Sequence, residues 1–190
     1  MKVFKKSDFL NDILSHKEHM NYGAIFIYPT DTIYGLGCDA RKNALVQRIR
    51  RIKMNQNQPM SIIAPSKSWI KKNMVYDKKF DEWLNKLPGP YTLIMERKNT
   101  DCVAEDVNSK DNTLGIRMPD NWFAKIVSDW GFPVVSTSLN LHGQKPCTHL
   151  DHISDNIKTM VDLAIDDGSL EGRPSTLVDL TQSEPKVIKR

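Results

Sequence analysis

The chain predicts an α/β fold in one domain, residues 1–190, with a mixed rather than purely parallel sheet. Three observations carry that expectation. Strand-like apolar runs and helix-like apolar stripes interleave from end to end. No low-complexity linker and no internal repeat divides them. A chain of this length buries roughly 70% of its unfolded surface, enough for a core without covalent staples.

The elements follow in order. Ser7 is placed to cap a helix whose apolar positions Phe9, Leu10, Ile13 and Leu14 share one face. "AIFIY" (Ala24–Tyr28) reads as a buried strand stopped by Pro29. Asn43 is placed to cap a helix with Leu45, Val46, Ile49 and Ile52 inward and Arg48 and Arg51 outward. "MSIIA" is a second strand. Phe80, Trp83, Leu84 and Leu87 stripe a helix that ends at the breaker "PGP" (Pro88–Pro90). Strands follow at "YTLIM" and "TLGIR", then a helix after Asp120 with Trp122, Phe123, Ile126, Val127 and Trp130 inward. "PVVS" is another strand, a helix covers Leu150, Ile153, Ile157 and Met160, and strands close the chain at "DLAI", "TLVDL" and "KVIK".

Composition narrows the function classes. Three cysteines, Cys38, Cys102 and Cys147, are odd in number and far apart, so no disulfide framework is expected and a reducing cytosol fits. The N-terminus has early lysines but no apolar core of a signal peptide, and no run approaches the length of a membrane span. A cytoplasmic protein with no membrane role is the expectation. The net charge of +4 is unevenly spread: Arg41 to Tyr76 carries nine basic residues and no acid, leaving −5 for the rest. A basic sector on an otherwise acidic chain points to a polyanionic partner, a nucleotide or a nucleic acid.

"YPTDTIYGLGCDA" (Tyr28–Ala40) contains G-x-G-x-x-A, the spacing of a dinucleotide-binding turn. Here Pro29–Tyr34 separate the strand from the first glycine. The acid expected about 20 residues on is replaced by Lys53, Asn55 and Gln58. Hydride transfer is excluded on both counts. Thr30, Asp31, Thr32 and Tyr34 at a strand end suit a small polar ligand, and equally a plain turn.

In "STSLN", alternation puts Ser136, Ser138 and Asn140 on one face, where they either hold anionic oxygens or cap a turn. Ser138 sits outside the G-x-S-x-G elbow, so no serine nucleophile is implied. "TLGIRMP" ends a strand with Arg117, a clamp for a carboxylate or a phosphate. "RPSTLVDL" brings Ser175 and Thr176 to the start of a strand, and Arg190 follows the last one. Cys147, His149 and His152 are spaced for a metal, but no fourth ligand is evident.

Taken together and in this order, "YPTDTIYGLGCDA", Lys53, "PGPYTLIM", "TLGIRMP", "VVSTSLN" and "STLVDL" resemble the YrdC-like family, the L-threonylcarbamoyladenylate synthases, from about Tyr22 to Arg190. The resemblance implies a twisted mixed sheet with flanking helices around a basic concave cavity. It implies a nucleotidyltransferase forming threonylcarbamoyl-AMP and pyrophosphate from L-threonine, bicarbonate and ATP, with Mg²⁺ accompanying ATP. It also implies a downstream transferase that modifies tRNA, and binding of tRNA or double-stranded RNA.

Carried over, Thr30, Thr32, Arg117, Ser136 and Ser175 form the threonine pocket. Lys53, Thr113, Ser138, Asn140 and Arg190 bind ATP, with Lys53 and Arg190 as the phosphate cations. Lys53 and Arg117, which holds the threonine carboxylate, are the catalytic candidates. The chain departs from the family's K-x-R pattern: Asn55 stands at the arginine, and the loop to Pro59 is one residue shorter. Leu139 and His142 also differ. Losing one phosphate cation costs on the order of 2–4 kcal/mol in a transition state. The alternative is therefore a non-catalytic paralogue that binds RNA or a nucleotide.

Overall fold

The computed structural model describes residues 1–54, 57–140, 146–170 and 172–188. Strands β1 (Lys2–Lys5), β2 (Phe26–Tyr28), β3 (Gly35–Gly37), β4 (Ser61–Ile63), β5 (Tyr91–Glu96), β6 (Thr113–Arg117), β7 (Val134–Ser138), β8 (Leu163–Asp166), β9 (Thr176–Asp179) and β10 (Lys186–Ile188) form one ten-stranded sheet. Its order is β1-β8-β2-β3-β7-β4-β6-β5-β9-β10. Pairings β1–β8, β8–β2, β4–β6 and β5–β9 are parallel and the others antiparallel. The mixed sheet and the single α/β domain agree with the reading of the sequence.

Helices cover both faces. Helices α1 (Lys6–Asn11), α2 (Ile13–Tyr22) and α6 (Trp122–Trp130) bury Phe9, Met20, Phe123, Ile126 and Val127 against Phe26, Tyr28, Val134 and Ile165. Helices α3 (Asn43–Lys53), α4 (Lys67–Asn73), α5 (Asp81–Asn85) and α7 (Asp155–Met160) close the other core, around Leu36, Ile62, Leu93 and Ile116. The inward stripe predicted for α3 is in place, with Leu45, Val46, Ile49 and Ile52 all buried.

The predicted caps differ. Ser7 lies inside α1 and bonds the neighbouring Asp8, because β1, which the sequence reading did not foresee, runs straight into the helix through an extended Lys5. The helix then breaks at Asp12, and that changes the phase. Phe9 and Met20 are buried, while Leu10 and Leu14 are 41% and 76% exposed. Asn43 does not cap α3 either. Its amide bonds Asp106 at 2.8 Å and so ties α3 to the turn Glu105–Val107. The segment expected as one helix over Leu150–Met160 splits at Ser154 into a short turn and α7. Helix α4, unforeseen, starts on a Ser66 side chain that accepts from the Trp69 amide at 3.0 Å.

The two glycines of the opening motif also find their reason here. They lie in strand β3, two residues apart, hence on one face. The Tyr28 ring packs over that face from β2, and its hydroxyl donates to the Val135 carbonyl at 3.1 Å. A Cβ on Gly35 would come within 2.7 Å of this ring, and one on Gly37 within 2.5 Å of the Val135 oxygen. The spacing serves sheet packing. Gly37→Ala is accordingly expected to lower stability by about 1–3 kcal/mol, read from urea unfolding.

Candidate active site

A cavity of about 300 Å³ lies over the ends of β3, β7, β4, β6 and β5 and under the loop that leads into β9. Of the residues expected to bind substrate, Thr32, Lys53, Arg117, Ser136, Ser138, Asn140 and Ser175 line it. Two cations and a ring of hydroxyls face this space, and no Asp or Glu does among the described residues. Such a lining favours an anionic or zwitterionic ligand.

One end is built around Arg117, the last residue of β6. Its Nη2 donates to Asp31 Oδ1 at 2.9 Å and to Thr32 Oγ1 at 3.1 Å. The second Asp31 oxygen accepts from the Asp120 amide at 3.0 Å, so the carboxylate is fixed while it orients the guanidinium. Burial holds the Arg117 pKa below its ordinary value, with Asp31 opposing. Its Nε is buried with no partner among the described residues. That leaves donor capacity for an anionic group. Thr30 lies just beneath, outside the cavity lining. Its hydroxyl donates to the Ile33 carbonyl at 2.7 Å and takes the Thr32 and Ile33 amides, which folds the "PTDT" segment into a compact turn.

The other end is set by Lys53, the last residue of α3. Met54 follows in the left-handed conformation at φ +50° and turns the chain away. The Lys53 ammonium donates to the Ser138 carbonyl at 2.7 Å, the Asn140 carbonyl at 2.7 Å and Asn140 Oδ1 at 2.6 Å. None of these acceptors carries a charge. Burial pushes the lysine pKa down to about 8. Among the described residues the cation is therefore held in place without being neutralised, which suits a phosphate group.

The sequence reading missed Ser61 and Thr92, both of which line the cavity. Ser61 pairs with Ser136 on one side and Gly115 on the other, and a Cβ at Gly115 would sit 2.7 Å from the Ser61 hydroxyl. Thr92 and Ser175 share a hydrogen bond of 2.7 Å across β5 and the entry to β9. Only the strand order reveals these neighbours.

The remaining candidates are placed elsewhere. Thr113 stands at the start of β6, outside the cavity lining, and bonds Asp111 at 2.6 Å. Asn55, His142 and Arg190 lie outside the described residues. Arg50, a possible substitute for the missing arginine, is buried, and its guanidinium donates to the Asp106 and Gln58 carbonyls. Cys147 donates to the His149 carbonyl at 2.8 Å. No three of His, Cys, Asp and Glu converge as a metal site among the described residues. No helix is long and apolar enough to cross a membrane among them.

The basic sector gains acids from outside its own stretch of sequence. Arg41 forks onto Asp39 at 2.9 and 2.7 Å, Arg48 meets Asp162 at 3.3 Å, and Lys71 meets Asp81 at 3.3 Å. The positive field outside the cavity is thinner than the unbroken run of cations implies.

A pH dependence follows from Lys53. Its charged form persists below pH about 8 and is lost above it. Affinity for a polyphosphate ligand is expected to fall by up to about tenfold per pH unit above that value. Stability has the opposite sign: between the folded pKa of about 8 and the ordinary lysine value of 10.5, the unfolded chain holds the extra proton. Rising pH through that window therefore stabilises the fold. Calorimetric titration with a non-hydrolysable ATP analogue, beside urea unfolding at the same pH values, checks both signs.

The family model of the Sua5, YciO and YrdC proteins, described as "Telomere recombination", matches residues 18–190. A putative threonylcarbamoyl-AMP synthase of Methanocaldococcus jannaschii is 33% identical over 177 residues, covering 90% of this chain and 80% of its own. The uncharacterized protein YciO of Escherichia coli is also 33% identical, over 178 residues, covering 90% of this chain and 85% of its own. The YciO crystal structure superposes with a TM-score of 0.87, at 29% identity, over 100% of this chain and 95% of that one. Pyrococcus abyssi Sua5, solved in complex with L-threonine, shares the fold at a TM-score of 0.86 and 24% identity, over 99% of this chain. This chain spans only 56% of that longer one. With most of its length matched and its fold reproduced in these relatives, the chain belongs to the Sua5/YciO/YrdC family.

Proposed function

We propose that this protein is an L-threonylcarbamoyladenylate synthase, a nucleotidyltransferase that makes threonylcarbamoyl-AMP and pyrophosphate from L-threonine, bicarbonate and ATP. The observation that carries the reading is the pairing of two cations across one hydroxyl-lined cavity that, among the described residues, is free of carboxylates. Among the described residues, Lys53 stands at one end without an ionic partner, and Arg117 at the other with a buried, unbonded Nε.

In this reading the threonine carboxylate lies on Arg117, with Thr32, Ser136 and Ser175 around the amino acid and Thr30 holding the turn. The threonine amine and bicarbonate form a carbamate with loss of water. A carbamate oxygen attacks the α-phosphorus, its new P–O bond replaces the bond to the β-phosphate oxygen, and pyrophosphate leaves. Lys53, steadied by Ser138 and Asn140, faces the phosphates; Thr113 and Arg190 complete the ATP set by family resemblance. Positioning and fixed charge supply the catalysis, and no covalent nucleophile takes part.

Mg²⁺ favours carboxylate and other oxygen ligands. The described lining offers no carboxylate, so the ion enters as part of the Mg·ATP substrate and no protein-bound metal is assigned. The product is an activated acyl adenylate in the cytoplasm. A separate transferase then moves its threonylcarbamoyl group to an adenosine in tRNA.

A second reading has its own support. Asn55 replaces a phosphate-binding arginine, and YciO and the putative synthase are equally similar at 33% identity. On that reading the chain is a non-catalytic relative that binds a nucleotide, tRNA or double-stranded RNA. Mass spectrometry of a reaction with ¹³C-bicarbonate decides between them. A threonylcarbamoyl-AMP ion carrying the label supports the synthase. ATP binding without that ion supports the relative.

A further inference from the structure

One wall of the cavity is not a sheet strand. Residues 167–170 and 172–175 leave β8 and run along the Thr30–Tyr34 turn before entering β9, bringing Pro174 and Ser175 to the cavity. Three contacts hold them there. The Tyr34 hydroxyl donates to the Gly168 carbonyl at 2.7 Å and accepts the Asp167 amide at 3.0 Å. The Leu170 amide donates to the Thr148 carbonyl at 2.9 Å. Gly172 lies so close to the turn that a Cβ there would come within 2.0 Å of the Thr32 oxygen and 2.2 Å of its Cα.

The Tyr34 end is buttressed from outside. The Trp122 indole donates to Asp167 at 2.6 Å, Lys6 meets the same carboxylate at 3.3 Å, and Lys5 pairs with Asp166. Asp166 in turn accepts the Gly168 amide at 3.0 Å. Tyr34 is fully buried, and burial pushes its pKa up to about 12, so the hydroxyl remains a donor across the working pH range.

We propose that the Tyr34 hydroxyl is a latch that holds residues 167–170 and 172–175 down as one wall of the cavity. Tyr34 and Gly172 are thereby positioning residues for the amino-acid end rather than the ATP end. The assignment to the amino acid rests on the synthase reading: Gly172 abuts Thr32, the residue that takes the Arg117 hydrogen bond, and Ser175 closes the same end through Thr92. Lys53 sits on Ser138 and Asn140 and, among the described residues, hydrogen-bonds none of these groups.

Tyr34→Phe keeps the ring and removes both hydrogen bonds. Hydrogen exchange of the amides of 168–175 is expected to quicken roughly tenfold with the sheet unaffected. The KM for threonine is expected to rise roughly tenfold while that for ATP stays within about twofold. Gly172→Ala, which forces the wall off Thr32, should give the same split. If Tyr34→Phe fails to fold, Trp122→Phe removes the indole donor to Asp167 and should loosen the same amides to a smaller degree. Unchanged exchange at 168–175 in the folded variants overturns the latch, whatever the substrate. Equal rises in both KM values overturn the assignment to the amino acid. A wild type without threonine-dependent turnover overturns the synthase reading and that assignment together, and the exchange measurement still decides the latch.

Discussion

Arg117→Met is expected to cut threonine-dependent pyrophosphate release severely and to lower stability by about 3–5 kcal/mol. Arg117 and Asp31 are 8% and 10% exposed at their side chains, so removing the cation strands a buried carboxylate. On activity the loss should be on the order of a thousandfold in kcat/KM, since a buried charge-assisted contact to substrate disappears with the residue. The two effects separate in a double variant. Asp31→Asn with Arg117→Gln removes both charges, and stability should recover while activity does not. Urea unfolding beside a steady-state assay reads both. Recovery of activity in the double variant would place Arg117 in the scaffold and not on the substrate.

Lys53→Met is expected to cut turnover by about 10²–10³-fold while changing stability by less than about 1 kcal/mol. Burial lowers the lysine pKa, so the charged form is held at a cost that an apolar residue of similar length does not carry. What is lost on the folding side is a set of bonds to the Ser138 and Asn140 acceptors at the cavity wall. The contrast with Arg117 is the useful part: one cation is bound into the fold by a carboxylate, and the other is held by neutral oxygens. Steady-state kinetics with ATP varied, together with thermal unfolding of the same variant, checks this.

Much of this was legible before any coordinates. Most of the central strands were readable as short apolar runs bounded by a proline or a polar cluster: Pro29 after Tyr28, "PGP" before Tyr91, Arg117 before Met118 and Pro119. Strand β3 was not, because two glycines around Leu36 carry no apolar run. Ordered motifs placed most of the cavity lining as well. The failures have physical causes. A strand of four residues with two lysines, Lys2–Lys5, carries too little apolar signal, yet it pairs in parallel with β8. The cap at Ser7 failed because β1 runs directly into the helix and leaves Ser7 inside it, and the cap at Asn43 because a tertiary contact to Asp106 took its side chain. Ser61 and Thr92 were invisible because the sheet order that brings them to Ser136 and Ser175 is non-local. The basic sector read as a bare polycation because its acids, Asp39, Asp81 and Asp162, lie outside it in sequence. The two glycines of β3 pointed to a ligand loop, and a tyrosine ring turned out to occupy the space they leave.

The most direct test of the central claim is pyrophosphate release from Mg·ATP, measured with threonine and bicarbonate each present or omitted. A synthase requires both, so release should appear only in the complete mixture and collapse when either is withheld. Release that ignores threonine or bicarbonate, or ATP binding with no release in the complete mixture, would contradict the assignment and leave a family fold that binds nucleotide without making the adenylate.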